Sequence, residues 1–515
     1  MEIVSFARYG YEGEIVKVEA DLRRGIPAVD IVGLPDGAVR EARERMRAAI
    51  RNSGFEFPRD RVLINLSPAS LKKEGSSFDL PIALAVLGAI GGYGNSGMRV
   101  MILGELELSG AVRPVTGILA AVSKGLEEGI THFVVPSENR REAELRAGAR
   151  VFGVTTLREA IHIVEHETHR TETTDGRKPD GSTQDRAAAG EFTWSGTEAG
   201  LDGIKGQNRL IRALVIAAAG GHNLLVYGPP GCGKTLSLRG FSSLLPDLDE
   251  RTAVDVTRIH SIAGMLDTGN GTLVRRPPFR EPAQNASVEG MIGGGAQGRP
   301  GEVSLAHGGT LFLDEAAHFR PQIFQALRNP LETGEVTITR AQRSSTYPAR
   351  FQLLMAVNPC PCGNAGCEGR VCTCAPDMVE RHWKRLTAPL VDRIDLRIAV
   401  RPPRGEELEA PSGVLTSDLR LLVATARKKQ AERGTLNARL EAGSVDEQCE
   451  LLPSVAQVFC RSMEAASLSG RGGHGILKTA RTIADLEDSA TISEEHILEA
   501  VQYRRWHALL PDIFN

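Results

Sequence analysis

Residues 228–235 read GPPGCGKT, and this octapeptide constrains the fold more than any other stretch of the chain. It fits the spacing G-x-x-x-x-G-K-[ST]. Gly228, Pro229, Pro230, Gly231, Cys232 and Gly233 form a loop whose backbone N–H groups can turn inward around phosphate oxygens. Lys234 brings a cation to the β- and γ-phosphates, and the Thr235 hydroxyl suits Mg²⁺. HNLLVYG before the loop reads as a buried strand. KTLSLRGFSSLL after it reads as a helix whose N-terminus faces the anion. Strand, loop and helix in that order favour a nucleotide site over a ligand-free glycine turn. Cys232 fills a spacer position to which no role falls.

A chain of 515 residues is too long for one ordinary core, so roughly two to four domains are expected. Apolar residues make up 41% and charged residues 24%, as in soluble proteins generally. The net charge of −3 neither demands nor excludes nucleic acid, because a basic channel can sit inside a neutral molecule. No stretch approaches the roughly 20 apolar residues that span a bilayer. MEIVSFARYGYEGEIV has no charged segment followed by an apolar one, so no signal peptide is expected. Of 8 cysteines, five fall in one short run, which argues for a reducing cytoplasm and one candidate metal site.

The expected organisation is multi-domain α/β. Residues 1–165 alternate strand-like stretches (VEADLRRGIPAVDIVG, RVLINLSP) with AVREARERMRAAIRNSG, read as an exposed helix ending at Gly54. Residues 166–197 are rich in Thr, Asp, Gly and charge and read as a flexible linker. Residues 198–402 hold the nucleotide module, whose alternating pattern implies a mainly parallel sheet. Residues 403–515 are helical in pattern, as in DLRLLVATARKKQAERG and ILKTARTIADLE.

Three further segments complete a triphosphatase site. TLFLDEA is an apolar strand ending in two carboxylates; Asp314 can hold Mg²⁺ through water, and Glu315 can polarise the attacking water. FQLLMAVNP ends at Asn358, whose amide could position water near the γ-phosphate, although Asn-Pro alone is a turn signal. APLVDRIDL sets Arg393 between two aspartates. A guanidinium offered to a neighbouring subunit's γ-phosphate would be an arginine finger. The alternative is a local Arg–Asp pair, worth about 0–1 kcal/mol if exposed, and these residues alone favour it.

These motifs occur in AAA+ order. LDGIKGQNRLIRALVIAAAGGHNLLVYGPPGCGKT, GEVSLAHGGTLFLDE, NPLETGEVTITRA and AVNPCPCG closely resemble the Mg-chelatase-like ComM/YifB family over nearly the whole chain. The resemblance implies an ATP- and Mg²⁺-dependent, ring-forming, hexameric AAA+ ATPase of the helix-2-insert clade, with an α/β P-loop core and a C-terminal helical lid. ComM-type members are implied to be DNA branch-migration helicases that aid natural transformation. The resemblance makes Lys234 and Thr235 Walker A, Asp314 and Glu315 Walker B, Asn358 sensor 1 and Arg393 the finger. For sensor 2 it offers Arg471, seven residues before Lys478, with Arg481 as the alternative; either could be a surface helix charge.

EVTITRAQRSSTYPARF reads as two short strands around a polar turn. By resemblance it is the pre-sensor hairpin facing the ring's pore, with Arg340 and Arg343 able to grip DNA phosphates without reading sequence. A solvated hairpin is the alternative. IGGGAQGRPGE is too glycine-rich for a helix and would lie in the second insert. Just before it, an expected Arg-x-Pro-His-His run is replaced by Arg280-Glu281-Pro282-Ala283-Gln284. If that histidine pair supports DNA contact or ring coupling, this chain lacks the support, while ATP hydrolysis is left untouched.

Cys360, Cys362, Cys367, Cys372 and Cys374 are dense enough to supply a tetrahedral Zn²⁺ site, though the spacing is not the usual C-x₂-C, and reduced thiols in a loop are the alternative. The N-terminal stretches KKEGSSFDLPIALAVLGAI and GELELSGAVRPVTGILAAVSKGLEEGITHFVVP resemble the Lon peptidase domain, of ribosomal S5-like fold. Such a peptidase needs a serine nucleophile and a lysine base. Ser77 falls at the nucleophile position, but Leu119 stands at the base position, and Lys124 lies about a turn and a half further on. A scaffold without proteolysis is therefore expected. Three function classes remain: a DNA-remodelling motor, a chelatase-like motor acting on a protein or cofactor, and a protease, which Leu119 argues against.

Overall fold

The computed structural model of the chain describes residues 2–91, 98–171, 200–266, 272–295, 298–340, 343–365, 370–386, 388–409, 415–465 and 468–504. The N-terminal residues form a mixed seven-stranded sheet. Its strands are Glu2–Ala7 (β1), Glu14–Arg23 (β2), Val29–Val32 (β3), Arg61–Ser67 (β4), Arg99–Ile102 (β5), His132–Pro136 (β6) and Arg150–Val154 (β7), in the order β3-β4-β2-β1-β5-β6-β7. β2 pairs antiparallel with β1 and β4, and the other pairs are parallel. Helix Gly37–Asn52 (α1) is capped by the Asp36 carboxylate, which accepts from Val39 N–H at 2.8 Å. The expectation of an exposed helix is corrected here: Val39, Ala42, Met46, Ala49 and Ile50 recur at helical spacing and form a buried stripe. Helix Asp79–Gly91 (α2) is apolar and buried along most of its length, and helices Ile118–Glu127 (α3) and Leu157–Thr171 (α4) follow. The end of α4 passes the expected linker start at residue 166; residues 172–199, where the rest of that linker falls, lie outside the described residues.

The central region is built on a five-stranded, wholly parallel sheet. Helix Asn208–Gly220 (α5) precedes strand Leu224–Tyr227 (β8); Lys234–Arg239 (α6) and Glu250–Ala263 (α7) follow, then Phe279–Arg280 (β9), Thr310–Leu313 (β10), helix Pro321–Thr333 (α8), strands Glu335–Arg340 (β11), Arg343–Pro348 (β12) and Gln352–Val357 (β13), helix Pro376–Lys384 (α9) and strand Leu396–Ala399 (β14). The sheet order is β9-β10-β13-β8-β14. All four residues of β8 and β10, and all six of β13, are buried, as a parallel sheet covered on both faces requires. The helix after the phosphate loop is shorter than its sequence suggests. It stops at Arg239, and Gly240–Leu244 continue as a 3₁₀ turn, because Gly240 weakens helix propagation.

The C-terminal residues are helical: Thr416–Glu432 (α10), Pro453–Ala465 (α11), Gly470–Leu486 (α12) and Glu494–Arg504 (α13). Their core is continuous with that of α5 and β8. Buried Asp485 organises the layer, accepting from Arg433, Arg481 and Asn437. Arg212 on α5 reaches Glu487 and Glu499 and ties the central region to these C-terminal helices. No helix among the described residues is long and apolar enough to cross a membrane.

The N-terminal domain touches the central one at two places that matter for the site. Tyr11 donates its hydroxyl to Asp255 on α7 at 2.7 Å, and the Arg258 guanidinium lies 4.2 Å over its ring. Tyr11 also donates its backbone N–H to Ser345 on β12 at 3.0 Å. Nearby, Ile262 on α7 packs among Val4, Phe6 and Leu103, and Glu142 accepts from the Ser261 hydroxyl.

Candidate nucleotide site

The turn between β8 and α6 carries GPPGCGKT along the rim of a cavity of ≈ 330 Å³. Pro230, Gly231, Gly233, Lys234 and Thr235 line it together with Asp314, Glu315 and Asn358. Gly231 and Gly233 have φ of 81° and 83°, the left-handed region that favours glycine and turns successive N–H groups to one side. Lys234 Nζ donates to the carbonyls of Gly228 (2.6 Å) and Pro229 (2.9 Å) and to Asn358 Oδ1 (3.0 Å). Burial pushes its pKa below the ordinary lysine value. Lys234 and Asn358 are thus one bonded unit. Cys232, to which sequence assigned no role, is buried and donates its thiol to Pro229 O at 2.9 Å, bracing the loop.

Thr235 Oγ1 donates to Asp314 Oδ2 at 3.0 Å, and Asp314 Oδ1 accepts from Glu315 N–H at 2.9 Å. A hydroxyl and a carboxylate in contact are the hard oxygen donors that Mg²⁺ takes beside phosphates. Glu315 holds φ at 49°, an uncommon conformation for a residue with a side chain. The turn takes its carboxylate off the strand axis, where Gln284 Nε2 donates to Oε2 at 3.0 Å and His318 Nδ1 lies 3.3 Å away. The departure from Arg-x-Pro-His-His, read above as bearing on DNA contact or ring coupling, also places Gln284 against the Glu315 carboxylate, because strand β9 runs beside β10 and delivers the following residues to its end.

Arg393 follows the short helix Ala388–Val391 and precedes β14. Its flanking aspartates do not hold it. Asp392 accepts from Arg504 at 3.3 Å, and Asp395 lies 3.1 Å from His222. Arg393 turns to Glu332 on α8, and Arg471, in the first turn of α12, donates to the same Glu332 oxygen at 2.9 Å. The local Arg–Asp alternative therefore gives way to a carboxylate distant in sequence. Neither arginine lines the cavity. Arg481 is buried on Asp485 and on the carbonyls of Ser489 and Ala490, which spends it inside the lid. Sequence gave no signal for Glu332, since an exposed glutamate near a helix end is commonplace.

Immediately after Asn358, Cys360, Cys362, Cys372 and Cys374 bring their sulfurs within 4.8 Å of one another. Among Cys360, Cys362 and Cys372 the sulfur separations are 3.3, 3.6 and 3.7 Å. A ZnS₄ tetrahedron with Zn–S of about 2.3 Å has edges of roughly 3.8 Å, so the four thiols fit that ion. Cys367, the fifth candidate, lies outside the described residues. Gly363 abuts the phosphate loop: a Cβ there would come 2.8 Å from Cδ of Pro230.

β11 and β12 pair antiparallel from Glu335↔Pro348 to Arg340↔Arg343, so the two hairpin arginines end their strands opposite each other. Val336, Ile338 and Tyr347 bury the hairpin's inner face, and Tyr347 donates to Gly298 O at 2.7 Å. Within 292–302, Gly293–Gly294 pair antiparallel with Arg299–Pro300, while residues 296 and 297 lie outside the described residues. In the N-terminal domain Ser77 lies in a 3₁₀ turn. Leu119 is fully buried and its N–H donates to Glu142 at 2.9 Å. Lys124 faces Glu127 and Glu128 on its own helix.

Comparison with known families agrees with this order of parts. Residues 200–408 match the family described as Magnesium chelatase, subunit ChlI; residues 18–139 match Subunit ChlI of Mg-chelatase; residues 414–504 match its C-terminal family. The chain is 35% identical to Competence protein ComM of Haemophilus influenzae over 519 residues, covering 100% of this chain and 99% of that one. It is 37% identical to the uncharacterized protein YifB of Escherichia coli over 510 residues, covering 98% and 97%. A Magnesium-chelatase 38 kDa subunit of Rhodobacter capsulatus is 25% identical over 330 residues, 60% of this chain and 87% of that one.

Proposed function

The chain belongs to the Mg-chelatase ChlI-like family of AAA+ ATPases, alongside YifB and ComM, and from that membership we propose that it is a ring-forming motor coupling ATP hydrolysis to DNA remodelling, with branch migration as its outcome. The observation that carries the shared-site part is the placement of Arg393 and Arg471 away from their own cavity, where a neighbouring protomer's γ-phosphate can meet them. Lys234 and the loop N–H groups hold the triphosphate, Thr235 and Asp314 are the residues that would hold Mg²⁺, and Mg²⁺ when bound offsets phosphate charge. Glu315 takes the proton of the attacking water, which Asn358 helps to orient. Arg393 from the next protomer stabilises the charge that builds on the leaving phosphates.

The DNA part rests on the β11–β12 hairpin, whose paired terminal arginines suit phosphate contacts, and on full-length similarity to a protein named for competence. The N-terminal domain, of Lon-like and S5-like type, serves this motor as a scaffold. Its Tyr11 braces both α7 and β12, while Leu119 in place of a lysine base leaves Ser77 without the partner proteolysis requires.

ATPase rate with forked, single-stranded and four-way-junction DNA at two salt concentrations tests the proposal. Stimulation is expected at low salt and should fall steeply as salt rises, because phosphate contacts release counterions. Absence of stimulation by every DNA at low salt would favour the second reading, a chelatase-like motor acting on a protein or cofactor, which the ChlI family matches support.

The four thiols serve as a structural Zn²⁺ site that stiffens the segment between Asn358 and Arg393 and, through Gly363, the phosphate loop itself. Metal analysis of the purified protein is expected to find about one zinc per chain, and Cys362→Ser should lower that content severalfold. Zinc-free wild-type protein with an unchanged unfolding midpoint would contradict the assignment.

A further inference from the structure

Arg393 and Arg471 come from different layers, the central region and the lid, yet both guanidiniums end on Oε1 of Glu332. Two cations sharing one oxygen repel each other unless the carboxylate stays between them. Arg393 is further fixed by Nη1, which donates to Pro389 O at 2.6 Å, while its buried Nε has no partner. The guanidinium is thus oriented without being saturated. Glu332 is 44% exposed and Arg471 52%, so solvent screens their contact, whereas Arg393 at 13% is the more enclosed partner. An exposed pair of this kind yields readily to a phosphate, which carries more charge and offers several oxygens to a guanidinium.

We propose that Glu332 is a positioning residue for ATP hydrolysis: it gathers the finger Arg393 and the sensor Arg471 into one cationic pair, poised for the γ-phosphate held by the adjoining protomer. The inference rests on the ring reading above and adds to it a carboxylate that lies outside every Walker and sensor motif. It also gives the lid a route to the chemistry. Movement of α12 relative to α8 separates Arg471 from Glu332 and disperses the pair, so lid position and finger readiness change together.

Full-length Glu332→Gln, assayed where the wild type assembles with Mg-ATP, tests this. Because no residue of its own cavity changes, KM for ATP should stay within about twofold while kcat falls about tenfold, and the unfolding midpoint should not move. Mixing separates the cause. Glu332→Gln mixed with Glu315→Gln should regain turnover, since an intact cavity then faces an intact arginine pair. Glu332→Gln mixed with Arg393→Ala should not, since both lack a working pair. Wild-type kcat in Glu332→Gln overturns the inference, and so does a loss that Glu315→Gln fails to rescue. If Arg393→Ala and Glu315→Gln fail to rescue each other, the ring reading falls, and this inference with it; if they do rescue each other and Glu332→Gln keeps full activity, only the role of Glu332 falls.

Discussion

Glu315→Gln is expected to bind Mg-ATP as the parent does and to lose about 10²–10⁴-fold in hydrolysis, the usual contribution of a positioned general base. The side chain is nearly isosteric; Lys234 bonds to Asn358 and to loop carbonyls, Thr235 bonds to Asp314, and Asp314 meets Glu315 through its backbone N–H, which the substitution leaves in place. Binding should therefore survive. The carboxylate lies at the end of β10, on a residue held at positive φ, with Gln284 donating to one oxygen. An amide in its place cannot take a proton from water, and its nitrogen can face the Gln284 nitrogen, donor against donor. Single-turnover hydrolysis beside equilibrium nucleotide binding checks both halves. Parent-rate turnover in the variant would show that another group activates the water.

Arg393→Ala is expected to cost about 10³-fold in kcat, the lower end of what an arginine finger contributes, with nucleotide affinity largely kept. The reason is geometric. The guanidinium does not line its own cavity, and its partners, Glu332 and the Pro389 carbonyl, are not part of it. The defect should act in trans, so that mixing with Glu315→Gln restores part of the activity at interfaces where an intact cavity meets an intact finger. A purely local ion-pair role gives no such rescue.

The site was legible wherever chemistry demands a residue type at a fixed spacing. GPPGCGKT could be placed because only glycines accept the loop's left-handed positions, and Asp314, Glu315 and Asn358 because each ends an apolar run that must be a buried strand. The wholly parallel central sheet and the helical C-terminal residues follow from the same patterning. What escaped were contacts between elements far apart in sequence. Glu332 meets Arg471 across 139 positions, and Gln284 meets Glu315 only because two strands happen to be neighbours. The helix at 37–52 was misjudged because its charges are more numerous than the residues Val39, Ala42, Met46, Ala49 and Ile50 that form its buried stripe. Spacing favoured Arg471 and kept Arg481 as the alternative; the fold distinguishes a guanidinium buried on Asp485 from one at the helix start facing Glu332.

The central claim is that each ATP is handled by two protomers, one supplying the phosphate loop and the next supplying the arginine pair. Its most direct measure is the ATPase rate per protomer, followed beside sedimentation in Mg-ATP across a wide range of protein concentration. The rate is expected to climb from near zero in step with the assembled fraction. A rate per protomer that stays constant down to concentrations where only single chains sediment would contradict the account.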